Sequence, residues 1–145
     1  MLFKRLNRTD AERCFAVFQA NEAGIAADDV VALELNTASV DGVRVTQPVT
    51  ASLFATVGVA DAAIANGAYG LVQIYGYRST SRILATGTSL TAGLTLLAPV
   101  NAQDYLSSGA TVPVGYLPGF VLLESVSSAP GANSTFSKKI FIRAM

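Results

Sequence analysis

The sequence contains no histidine and no tryptophan, a single cysteine and little charge, and each shortage removes a class of chemistry. Without histidine there is no Ser-His-Asp triad, no Cys-His pair and no imidazole metal ligand. A lone Cys14 forms no intramolecular disulfide and completes no thiolate metal site. Phosphate-binding glycine loops, the Gly-x-Ser-x-Gly elbow and the strand-Gly-x-Gly-x-x-Gly-helix unit are missing as well. The expectation is a protein with no catalytic residues, no metal and no cofactor.

Charged side chains make up 14% of the 145 residues, against about 25% in an ordinary domain, while 51% are apolar. Ten basic and ten acidic residues balance to zero, so no net self-repulsion opposes association. A surface this poor in charge is expected to bury an apolar patch against other chains. Residues 83–103 and 105–123 are uncharged and long enough to cross a bilayer, but threonine, serine, glycine and proline break both into short pieces. They read as strands and loops, so no membrane partner is expected. The start, Met1 to Arg8, has no apolar core behind it and does not read as a secretory signal.

What is present is a series of short runs rich in β-branched and aromatic residues, separated by Gly, Asn, Asp and Pro. The predicted strands cover residues 14–20, 30–36, 43–47, 52–59, 69–78, 82–86, 94–98, 111–116, 120–125 and 138–143. About ten short strands make an all-β sandwich, jelly-roll-like domain or barrel. Val31, Leu33 and Leu35 alternate with Ala32 and Glu34, as do Ile140 and Ile142 with their neighbours. Asp41-Gly42 is a hairpin signal, and Asn66-Gly67 a turn signal ahead of the run from Tyr69. Strict alternation there puts Tyr69, Leu71, Gln73, Tyr75 and Tyr77 on one face, where the tyrosines suit either a core rim or a subunit contact.

Single helical turns are expected at residues 9–13 and 61–65, the second with Asp61 as its cap. Residues 125–137 read by composition as a surface loop, and Cys14 as a small buried apolar residue. Charge is uneven: Lys4, Arg5, Arg8 and Arg13 crowd the start and Lys138, Lys139 and Arg143 the end, whereas residues 14–137 hold three bases and eight acids. The division is an arm, residues 1–13, and a β domain, residues 14–145. The arm joins the apolar Leu2, Phe3 and Leu6 to the basic Lys4, Arg5 and Arg8, a composition suited to docking on an acidic protein surface. It is too short, and the body too acidic, for a nucleic-acid interface.

Asp28, Asp29, Glu34, Asp41, Asp61, Asp104 and Glu124 leave a two-carboxylate glycosidase open in principle. Turns and caps account for most of them, and no spacing matches a calcium loop. Tyr69, Tyr75, Tyr77 or Tyr116 would offer a stacking platform in a carbohydrate- or host-surface-binding module, which is the alternative function.

The order of segments is distinctive: Phe15-Ala16-Val17-Phe18-Gln19-Ala20-Asn21-Glu22-Ala23-Gly24, then Asp41-Gly42, Val57-Gly58-Val59-Ala60 and Ile64-Ala65-Asn66-Gly67-Ala68-Tyr69-Gly70-Leu71-Val72-Gln73. Thr91-Ala92-Gly93-Leu94 and the closing Ile140-Phe141-Ile142-Arg143 complete it. From residue 14 to 143 the chain resembles tailed-phage head-module structural proteins, the capsid decoration or cement proteins. That resemblance implies a β domain, a homotrimer, and a place on the outer surface of the capsid with the major capsid protein as partner. Such a protein bridges neighbouring capsid subunits and stabilises the head without an active site. Residues 1–13 lie outside the pattern, so a capsid-binding role for Leu2, Phe3, Lys4, Arg5, Leu6 and Arg8 rests on their composition alone.

Overall fold

The computed structural model describes residues 12–21, 24–35, 42–108, 119–128 and 133–143, and within them the chain is all-β. The strands are β1 Arg13–Ala20, β2 Val30–Leu33, β3 Arg44–Thr46, β4 Thr56–Ala60, β5 Tyr69–Arg78 and β6 Arg82–Thr86, then β7 Leu96–Pro99, β8 Leu106–Ser107, β9 Phe120–Leu122, β10 Asn133–Ser137 and β11 Ile140–Arg143. One 3-10 turn, Leu53–Ala55, precedes β4.

Two cores organise these strands. β1, β3, β2, β4 and β5 pair in that order, and β5 returns to β1, which closes a small barrel. Every pair in the ring is antiparallel except β1 with β3. Alternation sends one side of each strand inward, where Ala20, Val31, Val45, Ala60, Val72 and Ile74 pack together with Phe18. Ile25 and Ile64, joined by an isolated bridge, complete this core.

The second core lies outside the barrel wall. Residues 75–78 of β5 pair with β11, which leads to β9 and then β7. Along β7 the first two residues pair with β9 and the last two with β8, so the sheet turns over there and continues through β6 to β10. The resulting sandwich encloses Ile83, Leu97, Leu106, Phe120, Leu122, Ile140 and Ile142, all fully buried. Each contributes roughly 1.5–3 kcal/mol of transfer free energy. Val30 and Val59, on the outer wall of the barrel, close this core and weld it to the first.

β5 belongs to both cores, and its geometry changes in the middle. Phe15 stands opposite Gln73 but Cys14 opposite Tyr75, so Ile74 is an extra residue and the alternation slips by one. Val59 and Gln73 face the sandwich core before the bulge; Gly76 and Arg78, opposite the buried Ile142 and Ile140, face it after. Tyr75 and Tyr77 therefore lie on the other side of the sheet from Tyr69 and Leu71, which corrects the single tyrosine face that unbroken alternation predicts. Gly76 has φ +99°, and a Cβ there would overlap the carbonyl of Glu12.

Other expectations change with the tertiary pairing. Residues 61–65 form no helical turn: the Asp61 amide donates to the Leu71 carbonyl and Ile64 bridges to Ile25. Arg13 opens β1 rather than closing a helix; residues 9–11 lie outside the described residues. Within the predicted loop 125–137, residues 133–137 are β10, because β6 offers them a five-residue partner. Residues 52–59 split into the 3-10 turn and β4. Cys14 is exposed, since it sits at the start of β1 on the side where no second layer reaches it. The Asn66-Gly67 turn forms, with Gly67 at φ +75° and the Ala68 amide donating to the Ala65 carbonyl. Asp41 and the predicted strand 111–116 fall outside the described residues.

Candidate functional site

Four of the acidic residues that leave acid-base chemistry open, Asp28, Asp29, Asp61 and Asp104, are drawn into an ionic joint between barrel and sandwich. The Arg78 side chain, 7% exposed, leaves the end of β5 on the core side. Its Nη2 donates to Asp28 Oδ1 at 2.7 Å and to the Ala60 carbonyl at 2.8 Å. Its Nη1 donates to Asp61 Oδ1 at 3.2 Å and to Gln73 Oε1 at 3.3 Å. Gln73 is fully buried, and its amide donates in turn to the carbonyls of Tyr75 and Tyr77 just past the bulge. Asp28 adopts φ +71°, a conformation aspartate tolerates better than most residues, and also accepts from the Thr80 hydroxyl.

A second guanidinium serves the neighbouring carboxylates. Arg82 Nη1 donates to Asp29 Oδ1 at 2.7 Å, stands 3.7 Å from Asp104 Oδ2 and carries its guanidinium over the Tyr105 ring. Asp29 Oδ2 accepts the Ala26 amide, and Gln47 donates to Asp104. Burial raises the Asp29 pKa above its ordinary value, against the Arg82 and Ala26 hydrogen bonds that lower it. Glu124 pairs with Lys138 and Glu34 accepts from Asn21. Asp28, Asp61, Asp29 and Asp104 are thus each held by a guanidinium, which ties loop residues to the end of β5 and the start of β6.

The sign of the Asp29 shift has a measurable consequence. A carboxyl whose pKa is higher folded than unfolded binds more protons in the native state, so its contribution to stability falls as pH rises through that interval. The stability of the wild type relative to Asp29→Asn is therefore expected to decline as pH rises from the ordinary carboxylate value upward. Urea titrations across the acid range check this, and a difference that grows with pH contradicts it.

The remaining chemistry is apolar and external. On the outer wall of the barrel, Val17 lies opposite Leu71 and Gln19 opposite Tyr69, with Phe15 next along β1. Val17 is 60% exposed, Tyr69 64% and Leu71 47%: the sandwich core covers this sheet face at Val59 and Gln73 but stops short of them. On the outer face of the sandwich, Leu96, Val121, Phe141 and Tyr77 stand side by side across four strands, a row about 14 Å wide. Tyr75 packs edge-on against Phe141, with ring centroids 5.4 Å apart. Leu96 is 52% exposed, and Leu94 and Leu123 are exposed nearby.

Of the residues singled out in the sequence, Tyr75 and Tyr77 come together in the second surface, while Tyr69 belongs to the first. The three do not share one platform. The arm residues Leu2, Phe3, Lys4, Arg5, Leu6 and Arg8, and Tyr116, lie outside the described residues. The sequence reading missed Val17, Leu71, Leu96 and Phe141, whose only signal is that strands apolar on both sides need two coverings. Among the described residues there is no group of three or more metal-ligating side chains, and no helix is long and apolar enough to cross a membrane.

No protein-family model and no curated protein matches the chain. Among solved structures it is similar to the N base of the head fiber protein gp8.5 of bacteriophage phi29, with 13% sequence identity, a TM-score of 0.49, and alignment over 91% of this chain and 96% of that one.

Proposed function

We propose that this chain is a non-enzymatic structural protein of a tailed-phage virion that sits on the outer surface of the head and reinforces it by bridging major capsid subunits. The observation that carries the reading is the pair of apolar sheet surfaces on a protein of zero formal charge, one with Val17, Tyr69 and Leu71 exposed, the other with Leu96 exposed beside the half-buried Val121, Phe141 and Tyr77. The sequence resemblance from residue 14 to 143 supplies the setting; the distant head fiber likeness is not what the reading rests on. Cementing a shell requires buried contact area and no reacting group, so bare sheet faces joined to a rigid two-core body fit the task. The body self-associates, as a trimer, through these surfaces. The apolar-basic arm provides the anchor, with Leu2, Phe3 and Leu6 entering apolar clefts of the major capsid protein and Lys4, Arg5 and Arg8 meeting its carboxylates.

Co-sedimentation with undecorated phage heads tests the assignment. The full chain is expected to pellet with heads and to raise the temperature at which they release DNA. Deleting residues 1–11 is expected to abolish pelleting while light scattering still reports the same oligomer. Binding that survives the deletion overturns the arm model, and a full chain that ignores heads overturns the cement function.

A further inference from the structure

We infer that the two bare surfaces are the two halves of one contact, so that copies of this chain join head to tail, the outer barrel wall of one against the outer sandwich face of the next. The inference rests on the proposed self-association and specifies its geometry. The surfaces lie on opposite sides of β5, because the bulge at Ile74 and Tyr75 turns Tyr69 and Leu71 one way and Tyr75 and Tyr77 the other. One copy can therefore offer both at once to different neighbours.

Charge decides which surface meets which. Asp61 borders the barrel patch, its amide bound to the Leu71 carbonyl and its carboxylate 44% exposed. Two carboxylates, Asp28 and Asp61, share the single Arg78 there, leaving this edge negative. At the far end of the patch Glu12 and Arg13 offset each other. The sandwich row is bordered by Lys139, just before β11, and by Arg143, its last residue and on the same side as Phe141; both are exposed, and although Glu124 pairs with Lys138 and also feels the charge of Lys139, the two bases leave this edge positive. Pairing either surface with its own copy would set like charges together; pairing one with the other sets Asp61 against Lys139 or Arg143. A contact between unlike surfaces propagates by rotation, and with a step of one third of a turn it closes as a three-membered ring.

Light scattering on Val17→Glu, Leu96→Glu and their mixture tests the inference, with circular dichroism verifying that these exposed substitutions leave the fold intact. The wild type is expected at three chains and each variant at one, 15.0 kDa. An equimolar mixture is expected to form a two-chain species, since Val17→Glu keeps an intact sandwich face and Leu96→Glu an intact barrel patch. A mixture that stays at one chain, or a single variant that remains a trimer, overturns the head-to-tail contact while leaving self-association in place. A monomeric wild type overturns both.

Discussion

Replacing Arg78 by leucine is expected to cost about 3–5 kcal/mol, the largest loss from any single polar side chain among the described residues. The guanidinium is almost wholly buried and satisfies four acceptors at once: Asp28, Asp61, Gln73 and the Ala60 carbonyl. Asp28 and Asp61 can recover some hydration because both reach solvent, which holds their share toward the lower end of the range. The Ala60 carbonyl keeps the Asp28 amide, but the buried Gln73 Oε1 loses its donor, and an unsatisfied buried polar group costs about 1–3 kcal/mol. Total stabilities of domains this size run to about 5–15 kcal/mol, so the variant should fold but with a much lower urea midpoint. An unchanged midpoint would mean that the network contributes no net stability.

The second large effect is expected at Gly76. With φ +99° the position is already costly for any L side chain, about 1–3 kcal/mol from backbone conformation alone. A Cβ also meets the Glu12 carbonyl, a backbone atom that moves only if β1 lifts from β5 and surrenders the pairs of Arg13 with Gly76 and Cys14 with Tyr75. Gly76→Val is thus expected to cost about 3 kcal/mol or more and to speed amide exchange in residues 13–16. Gly93 provides the control: its φ is +74°, yet nothing lies within contact distance of a Cβ. Gly93→Ala should cost only about 1–2 kcal/mol, the conformational part. Equal losses at the two glycines would rule out the close approach as the cause.

Much of the barrel and sandwich is legible in the residues, because a half-buried strand writes its period into the sequence. Val31 and Leu33 point into the barrel and Ile140 and Ile142 into the sandwich, as alternation requires, and Tyr69 to Arg78 is one strand throughout. Where the reading departs from the structure, the cause lies in a partner strand far away in sequence. No local pattern marks Ile74 as an extra residue, since Val72, Ile74 and Tyr75 are all ordinary strand formers; the slip exists because Cys14 and Phe15 advance by one residue while β5 advances by two. β10 is mostly polar and reads by composition as a loop, yet Asn133 to Ser137 become a strand by borrowing the hydrogen bonds of β6. Asp61 has the composition of a helix cap, but its carboxylate is claimed by Arg78, 17 residues on. The two bare surfaces were hardest to foresee. Leu71, exposed, and Val72, buried, are adjacent apolar residues whose different fates depend on where the second layer ends.

The order of the strands along the chain bears on how the protein emerges from the ribosome. All five barrel strands lie between Arg13 and Arg78, so this half has every partner it needs once its own segment is free. The sandwich has not: its β11 is the last of the described strands, and until Ile140 to Arg143 appear, the edge of β5 from Tyr75 to Arg78 and the facing edge of β9 lack this partner. Synthesis at about 5–20 residues per second leaves that hydrophobic half open for seconds while the barrel is already closed. The nascent chain is most exposed to aggregation in this interval, and the same early-formed barrel wall, through Val30 and Val59, is the template on which the late sandwich core condenses.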